Sequence, residues 1–213
     1  MDEMENRLAR LPGALLPWYR ENRRVLPWRE EVSAYRTWVS EIMLQQTRVE
    51  AVRDYYVRFL QAAPDVFALA ALPEERLLKL WEGLGYYNRA RNLQKCARIL
   101  AARGGAFPDT VGELLALPGI GAYTAGAIAS ICFERPAAAV DGNVLRVCAR
   151  VLDDDAPVDT PAYKSALTGA LCACYPPGRC GDFTQSLMEL GAPSARLRRC
   201  VSPGRGARRR SAP

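Results

Sequence analysis

Leu117-Pro118-Gly119-Ile120-Gly121 runs straight into Ala122-Tyr123-Thr124-Ala125-Gly126-Ala127-Ile128-Ala129-Ser130-Ile131-Cys132-Phe133, and the fold hinges on this stretch. The second part predicts a helix over 122–133. Two glycines around Ile120 let the chain reverse between helices without Cβ clashes. The turn also leaves free N–H groups at the start of the second helix, where a phosphate oxygen can sit. A tight helix–helix turn with no ligand explains the same residues, so both readings stay open locally.

Outward from the turn, helical periodicity recurs and strand signals are almost absent. Helices are expected over 3–21 (disturbed near Pro12-Gly13), 34–44, 48–60, 74–81, 89–103, 111–116, 143–152, 162–173 and 182–190. Leu26-Pro27, Ala63-Pro64, Gly83–Gly85, Gly104-Gly105, Arg135-Pro136 and Pro176–Gly178 punctuate them. The expected class is all-α with short loops and no internal repeat.

The 213 residues suffice for one large domain or two lobes sharing a cleft. No stretch approaches the apolar length of a membrane span. MDEMENRLAR lacks a basic region followed by an apolar core, so no secretory signal is expected and the expected location is a bacterial-type cytoplasm. The seven cysteines are odd in number and form no disulfide framework. Cys172, Cys174 and Cys180 form a local group, but no fourth ligand has suitable spacing, and no metal is expected. The absence of histidine excludes Ser-His-Asp and Cys-His triads. Acid–base chemistry must come from carboxylates, Lys, Tyr or Cys. The seven arginines of 193–213 exceed the whole net charge of +6, so the remaining chain is nearly neutral. A nucleic-acid site there needs local clusters and backbone donors.

Two carboxylates stand out. Asp141, in Val140-Asp141-Gly142-Asn143-Val144, precedes a helix, and an N-cap is the ordinary reading of such a residue. Glu41 lies among strongly apolar neighbours in Trp38-Val39-Ser40-Glu41-Ile42-Met43-Leu44-Gln45-Gln46-Thr47. Desolvation would favour its protonated form, as a general acid requires, whereas a solvent-facing Glu on an amphipathic helix is the plain alternative. Trp81-Glu82-Gly83-Leu84-Gly85-Tyr86-Tyr87-Asn88-Arg89-Ala90-Arg91-Asn92 mixes glycines, aromatics and Arg. Such a loop can push a ring into a base stack, or can equally be a helix C-cap with core tyrosines.

In combination, LPWR, SEIMLQQT, W-x-GLGYY-x-RARNL, LPGIG-x-YTA, VDGNV-x-R and GDFTQSLMELGA occur here in an order that resembles the helix-hairpin-helix glycosylases, over residues 15–192. Within that superfamily the chain looks like the adenine-specific mismatch DNA glycosylases. The resemblance implies a two-lobed fold with duplex DNA in the groove between lobes. A six-helix barrel would span 26–134; 1–25 and 135–192 would form the second lobe. It implies a monomer that removes adenine mispaired with 8-oxoguanine or guanine. Glu41 would protonate adenine at N7, Asp141 would stabilise positive charge on the sugar, and Tyr123 and Asn143 would support them. Arg24, Leu26, Trp28, Arg29 and Gln185 would surround the base. DNA contacts would come from Gln45, Gln46 and Thr47, from Leu84, Gly85, Tyr86, Tyr87 and Arg91, and from Pro118, Gly119, Ile120, Gly121 and Thr124. Gln46 and Tyr87 would fill the gap left by the flipped base, and an alkali cation could sit at the hairpin. Endonuclease III-like relatives place Lys where this chain has Tyr123, which cannot form an imine, so the resemblance implies hydrolysis without strand cleavage. A pyrimidine-directed glycosylase/lyase and a catalytically weak DNA-binding remnant are the alternatives.

The tail departs from the family. Its [4Fe–4S] cysteines, spaced C-x6-C-x2-C-x5-C, fall here on Ala195, Ser202, Arg205 and Ser211, and Cys200 is out of register. No cluster is expected from these residues. The abrupt change to Arg, Gly, Ala, Pro and Ser is expected to mark a frameshift or truncation after residue 192, leaving 193–213 disordered and the family's 8-oxoguanine-reading domain missing.

Overall fold

Twelve α-helices and one 3-10 turn account for the regular structure among the described residues of a computed structural model, which describes 3–154, 157, 158 and 160–192. In chain order they are α1 (Glu3–Leu8), α2 (Leu11–Asn22), the 3-10 turn Pro27–Arg29, α3 (Ala34–Leu44), α4 (Val49–Ala62), α5 (Val66–Ala71) and α6 (Glu74–Trp81). Then follow α7 (Asn88–Ala102), α8 (Val111–Leu115), α9 (Ala122–Phe133), α10 (Gly142–Leu152), α11 (Pro161–Ala173) and α12 (Cys180–Gly191). The chain is all-helical with short connections. Expectations for residues 193–213, including the absent cluster ligands, lie outside the described residues.

Two differences from the sequence reading have local causes. The first helix divides because Pro12 lies in the first turn of α2, where its missing N–H has no partner to lose. The short α5 carries too few residues to show a period, yet it is capped by Asp65, whose carboxylate accepts from the Ala68 N–H at 2.8 Å. Ser33, Thr110 and Thr160 cap α3, α8 and α11 in the same way.

Buried apolar residues gather into two cores. One runs from Leu26 to Ala137 and is rich in aromatics, with Phe59 edge-on to Trp81 (centroids 6.1 Å apart) and Trp38 edge-on to Phe107 (5.4 Å). The other joins Leu8, Leu11 and Leu15 to residues between Ala138 and Leu190. Helix α12 links them, packing on α2, α9 and α10. Arg179 gives α12 no side-chain cap. Instead the Glu134 carboxylate accepts from the Cys180 N–H (2.6 Å) and the Gly181 N–H (3.3 Å), which ties the N-terminus of α12 to the C-terminus of α9. At the far end of α12, a Cβ on Gly191 would come within 2.6 Å of the Asn143 Cβ, so only glycine lets α12 approach the start of α10 this closely.

Candidate active site

Helix α3 is buried over most of its length, and Thr37, Ser40, Glu41 and Leu44 form a stripe along one side at helical spacing. That stripe lines an open cavity of about 950 Å³. Glu41 is only 6% exposed. Burial pushes its carboxyl up to about 7; the Tyr123 hydroxyl opposes the rise, Asp141 adds to it and Arg29 offsets part of it. The Tyr123 hydroxyl donates to Glu41 Oε2 at 2.7 Å. Burial, assisted by Glu41 and Asp141, holds the Tyr123 phenol well above its usual range, so it serves as a donor at neutral pH.

Asp141 reaches the same cavity from the start of α10. Its Oδ1 accepts from the Asn143 and Val144 N–H groups, both at 2.9 Å, so the N-cap reading is correct as geometry. It does not exclude the other reading, because capping is what fixes the carboxylate. Oδ2 accepts from Asn143 Nδ2 at 2.6 Å, while Asn143 Oδ1 accepts from Arg146 Nη2 at 2.5 Å. Arg146 also donates to the Gly191 carbonyl at 3.3 Å. Arg146 therefore sets which way the Asn143 amide points. This makes the arginine of VDGNV-x-R an orienting residue that the sequence reading quoted without assigning.

The opposite wall comes from the loop around Pro27–Arg29 and from α12. Arg24 Nε and Arg29 Nη1 donate to the two oxygens of Glu189, at 2.5 and 2.8 Å. Burial alone would raise Glu189, but the two guanidinium groups outweigh it and hold the carboxyl below its ordinary value. Arg29 also lies over the Tyr19 ring at 5.6 Å, and the Tyr19 hydroxyl donates to Gln185 Oε1 at 3.0 Å. Gln185 is thus held by one end of its amide while still lining the cavity. Leu26 and Trp28 are buried beside it, with Trp28 edge-on to Tyr56 at 5.5 Å. Glu189 lies in the quoted GDFTQSLMELGA motif without an assigned role, because its partners are 160 and 165 residues away.

Of the expected DNA-facing segments, the one after α3 adjoins this cavity. Gln45, Gln46 and Thr47 line it, and Gln46 sits just past α3 with φ 57°. This left-handed position at a helix C-terminus costs a non-glycine residue about 1 kcal/mol. Tyr86 (φ 48°) and Tyr87 are exposed. Gly119 takes φ 79° in the hairpin turn, and Gly121, just before α9, offers that helix no side-chain cap. The side chains of Leu84, Ile120 and Thr124 are buried in the packing, so the expected contacts there would fall to their backbones. Arg91 Nε donates to Glu74 at 2.9 Å on the surface. Arg89, two residues earlier, instead points into the loops and was not singled out by the sequence.

No three His, Cys, Asp or Glu side chains among the described residues are arranged to hold a metal ion. Cys96, Cys148 and Cys180 are buried singly in the packing.

A buried acid that titrates near neutrality, in one cavity with a fixed carboxylate, suits chemistry on a base lifted out of DNA. Residues 39–164 match the family model described as HhH-GPD superfamily base excision DNA repair protein. The chain belongs to that superfamily. Its fold is shared with a thermostable thymine-DNA glycosylase, at TM-score 0.80 and 26% identity over 94% of this chain and 95% of that one. Among curated relatives, the adenine DNA glycosylase of Mus musculus is 47% identical over 152 residues, which is 70% of this chain and 30% of that protein. The adenine DNA glycosylase of Mycolicibacterium smegmatis is 40% identical over 193 residues, 89% of this chain and 65% of that protein. The chain therefore spans roughly a third to two thirds of the length of these relatives.

Proposed function

We propose that this HhH-GPD chain removes adenine from duplex DNA by hydrolysis, acting where adenine is mispaired with 8-oxoguanine or guanine. The observation that carries this reading is Glu41, a carboxyl buried on α3, pushed up to about 7 and addressed by the Tyr123 hydroxyl. Adenine leaves poorly as an anion, so the base must gain a proton as its bond to the sugar breaks. Glu41 donates that proton to N7, and the bonding pair of C1′–N9 goes to the base. Positive charge grows on the sugar, and the Asp141 carboxylate, fixed by three N–H donors, faces it. Water then adds to C1′ and its proton restores the acid. Gln185, held through Oε1 by the Tyr19 hydroxyl, keeps its Nε2 donors for the rim of the base away from N7.

The relatives named adenine DNA glycosylase support this substrate class. Tyr123 supports hydrolysis over imine chemistry, because a phenol cannot form a Schiff base with C1′.

A single-turnover assay on an adenine:8-oxoguanine duplex tests the proposal. Base loss that needs alkali for strand scission is the expected result. Efficient borohydride trapping would instead show a lyase, and binding without base loss would show a remnant that retains only the groove.

A further inference from the structure

Arg89, in the first turn of α7, is held by main-chain carbonyls from two separate loops. Its Nη1 donates to the carbonyls of Ile42 (2.8 Å), Met43 (3.2 Å) and Gln45 (2.6 Å) at the end of α3. Its Nη2 donates to the carbonyls of Leu84 (3.0 Å) and Gly85 (3.2 Å). The guanidinium also lies 5.5 Å from the Trp81 ring centroid and 5.6 Å from that of Tyr86. The hairpin is adjacent. A cavity of about 70 Å³ lies between Arg89, Gln45, Asn92, Pro118 and Gly119. Asn92, one turn along α7, sits where a Cβ on Gly119 would be 2.8 Å from its own Cβ.

The arrangement has a physical logic. The last carbonyls of a helix lack intrahelical partners and carry partial negative charge, so a cation there is favoured. A planar guanidinium can serve both sets of carbonyls at once, whereas an ammonium cannot match that fork. Both loops bear exposed residues in left-handed backbone, Gln46, which lines the large cavity, and Tyr86, whose ring lies against Arg89. Such strain persists only where the surroundings enforce it.

We propose that Arg89 is a positioning residue that joins the Gln46 loop and the Tyr86–Tyr87 loop into one wedge. Extrusion of the target base depends on it, and bond cleavage does not. The inference rests on the glycosylase reading above for its substrate, but the wedge can be tested without catalysis.

The first experiment uses a duplex carrying 2-aminopurine at the target position, with fluorescence following its release from the stack as wild-type and Arg89→Lys protein bind. The variant should slow or reduce the fluorescence rise by about tenfold, the scale of losing one or two well-placed hydrogen bonds. Its single-turnover excision of adenine opposite an abasic site, where no base pair must be broken, should stay within about twofold of wild type. Equal loss in both assays, or no loss of extrusion, overturns the proposal. The second experiment leaves Arg89 intact, so that a folding defect cannot obscure the answer. Gln46→Ala, Tyr86→Ala and the pair are compared by the same fluorescence signal. If the loops act as one wedge, the double variant loses little more than the worse single variant. Multiplicative losses sink the idea. If the wild-type protein extrudes 2-aminopurine but excises adenine from no duplex, the glycosylase reading has failed while the wedge stands.

Discussion

The cavity is lined by two carboxylates, and their surroundings differ in almost every respect. Glu41 projects from the middle of a buried helix, accepts one hydroxyl bond and is pushed up to about 7 by the loss of water. Asp141 caps a helix and accepts three N–H bonds, backed by Asn143 and Arg146. In the proposed reaction Glu41 supplies a proton and Asp141 a fixed negative charge. The same functional group takes opposite parts because one site is dry and the other is built of donors.

The sharpest break of this contrast is Glu41→Gln. Size and polarity are kept but the transferable proton is gone, so single-turnover excision should fall by about 10²- to 10⁴-fold while duplex binding stays near wild type. Excision surviving at near-normal rate would remove Glu41 from the chemistry. Asp141→Asn tests the other carboxylate. Asparagine caps helices about as well as aspartate, so the protein should remain folded. Excision should nonetheless fall by about 10²- to 10³-fold, the usual scale for one preorganised electrostatic contact. A loss of thermal stability in step with the loss of rate would show that capping was the whole role.

Stability should separate the two carboxylates as well. The Glu41 pKa rises from 4.5 to about 7 on folding, so the folded state holds its proton more tightly than the unfolded chain. This contribution is fully present below pH 4.5 and is lost as pH rises to about 7. The wild-type protein should therefore lose up to about 3 kcal/mol across that window from this group alone, a loss that Glu41→Gln should not show. Denaturant melts of both proteins at pH 4.5 and pH 8 measure the difference. Parallel pH dependence in the two would mean that Glu41 is hydrated.

How much of this could be read in the sequence varied with how local the cause was. Helices α3, α6 and α9 have the limits that their punctuation predicts, because caps, prolines and glycines act within a turn. The convergence of Glu41, Tyr123, Asp141 and Asn143 on one cavity was expected from the resemblance rather than from any spacing. Arg89 and Arg91 show the limit. They stand two apart in the same Arg-Ala-Arg run and so face nearly opposite sides of α7. One enters the loops and the other meets Glu74, and only the helix phase decides which. Glu189 was equally hidden, since its two arginines come from the other end of the chain.

The smallest expected effect concerns the hydrogen bond between Tyr123 and Glu41. The Tyr123 hydroxyl donates to Glu41 and so favours the ionised carboxylate, opposing the burial that raises it. Removing that hydroxyl in Tyr123→Phe should raise the Glu41 pKa further. Because the proton donor must be protonated, wild-type excision should decline above about pH 7, and the decline in the variant should begin at higher pH. At pH 6 the variant should be slower by only about threefold to tenfold, the scale of one lost hydrogen bond that helps aim the carboxyl. At pH 8 the gap should narrow, since more of the variant's Glu41 keeps its proton. A rate–pH series from 5 to 9 under single-turnover conditions reads both quantities. If the alkaline limb moves down instead, Tyr123 stabilises the protonated acid. The proton on Glu41 would then owe as much to its neighbour as to the dryness of its site.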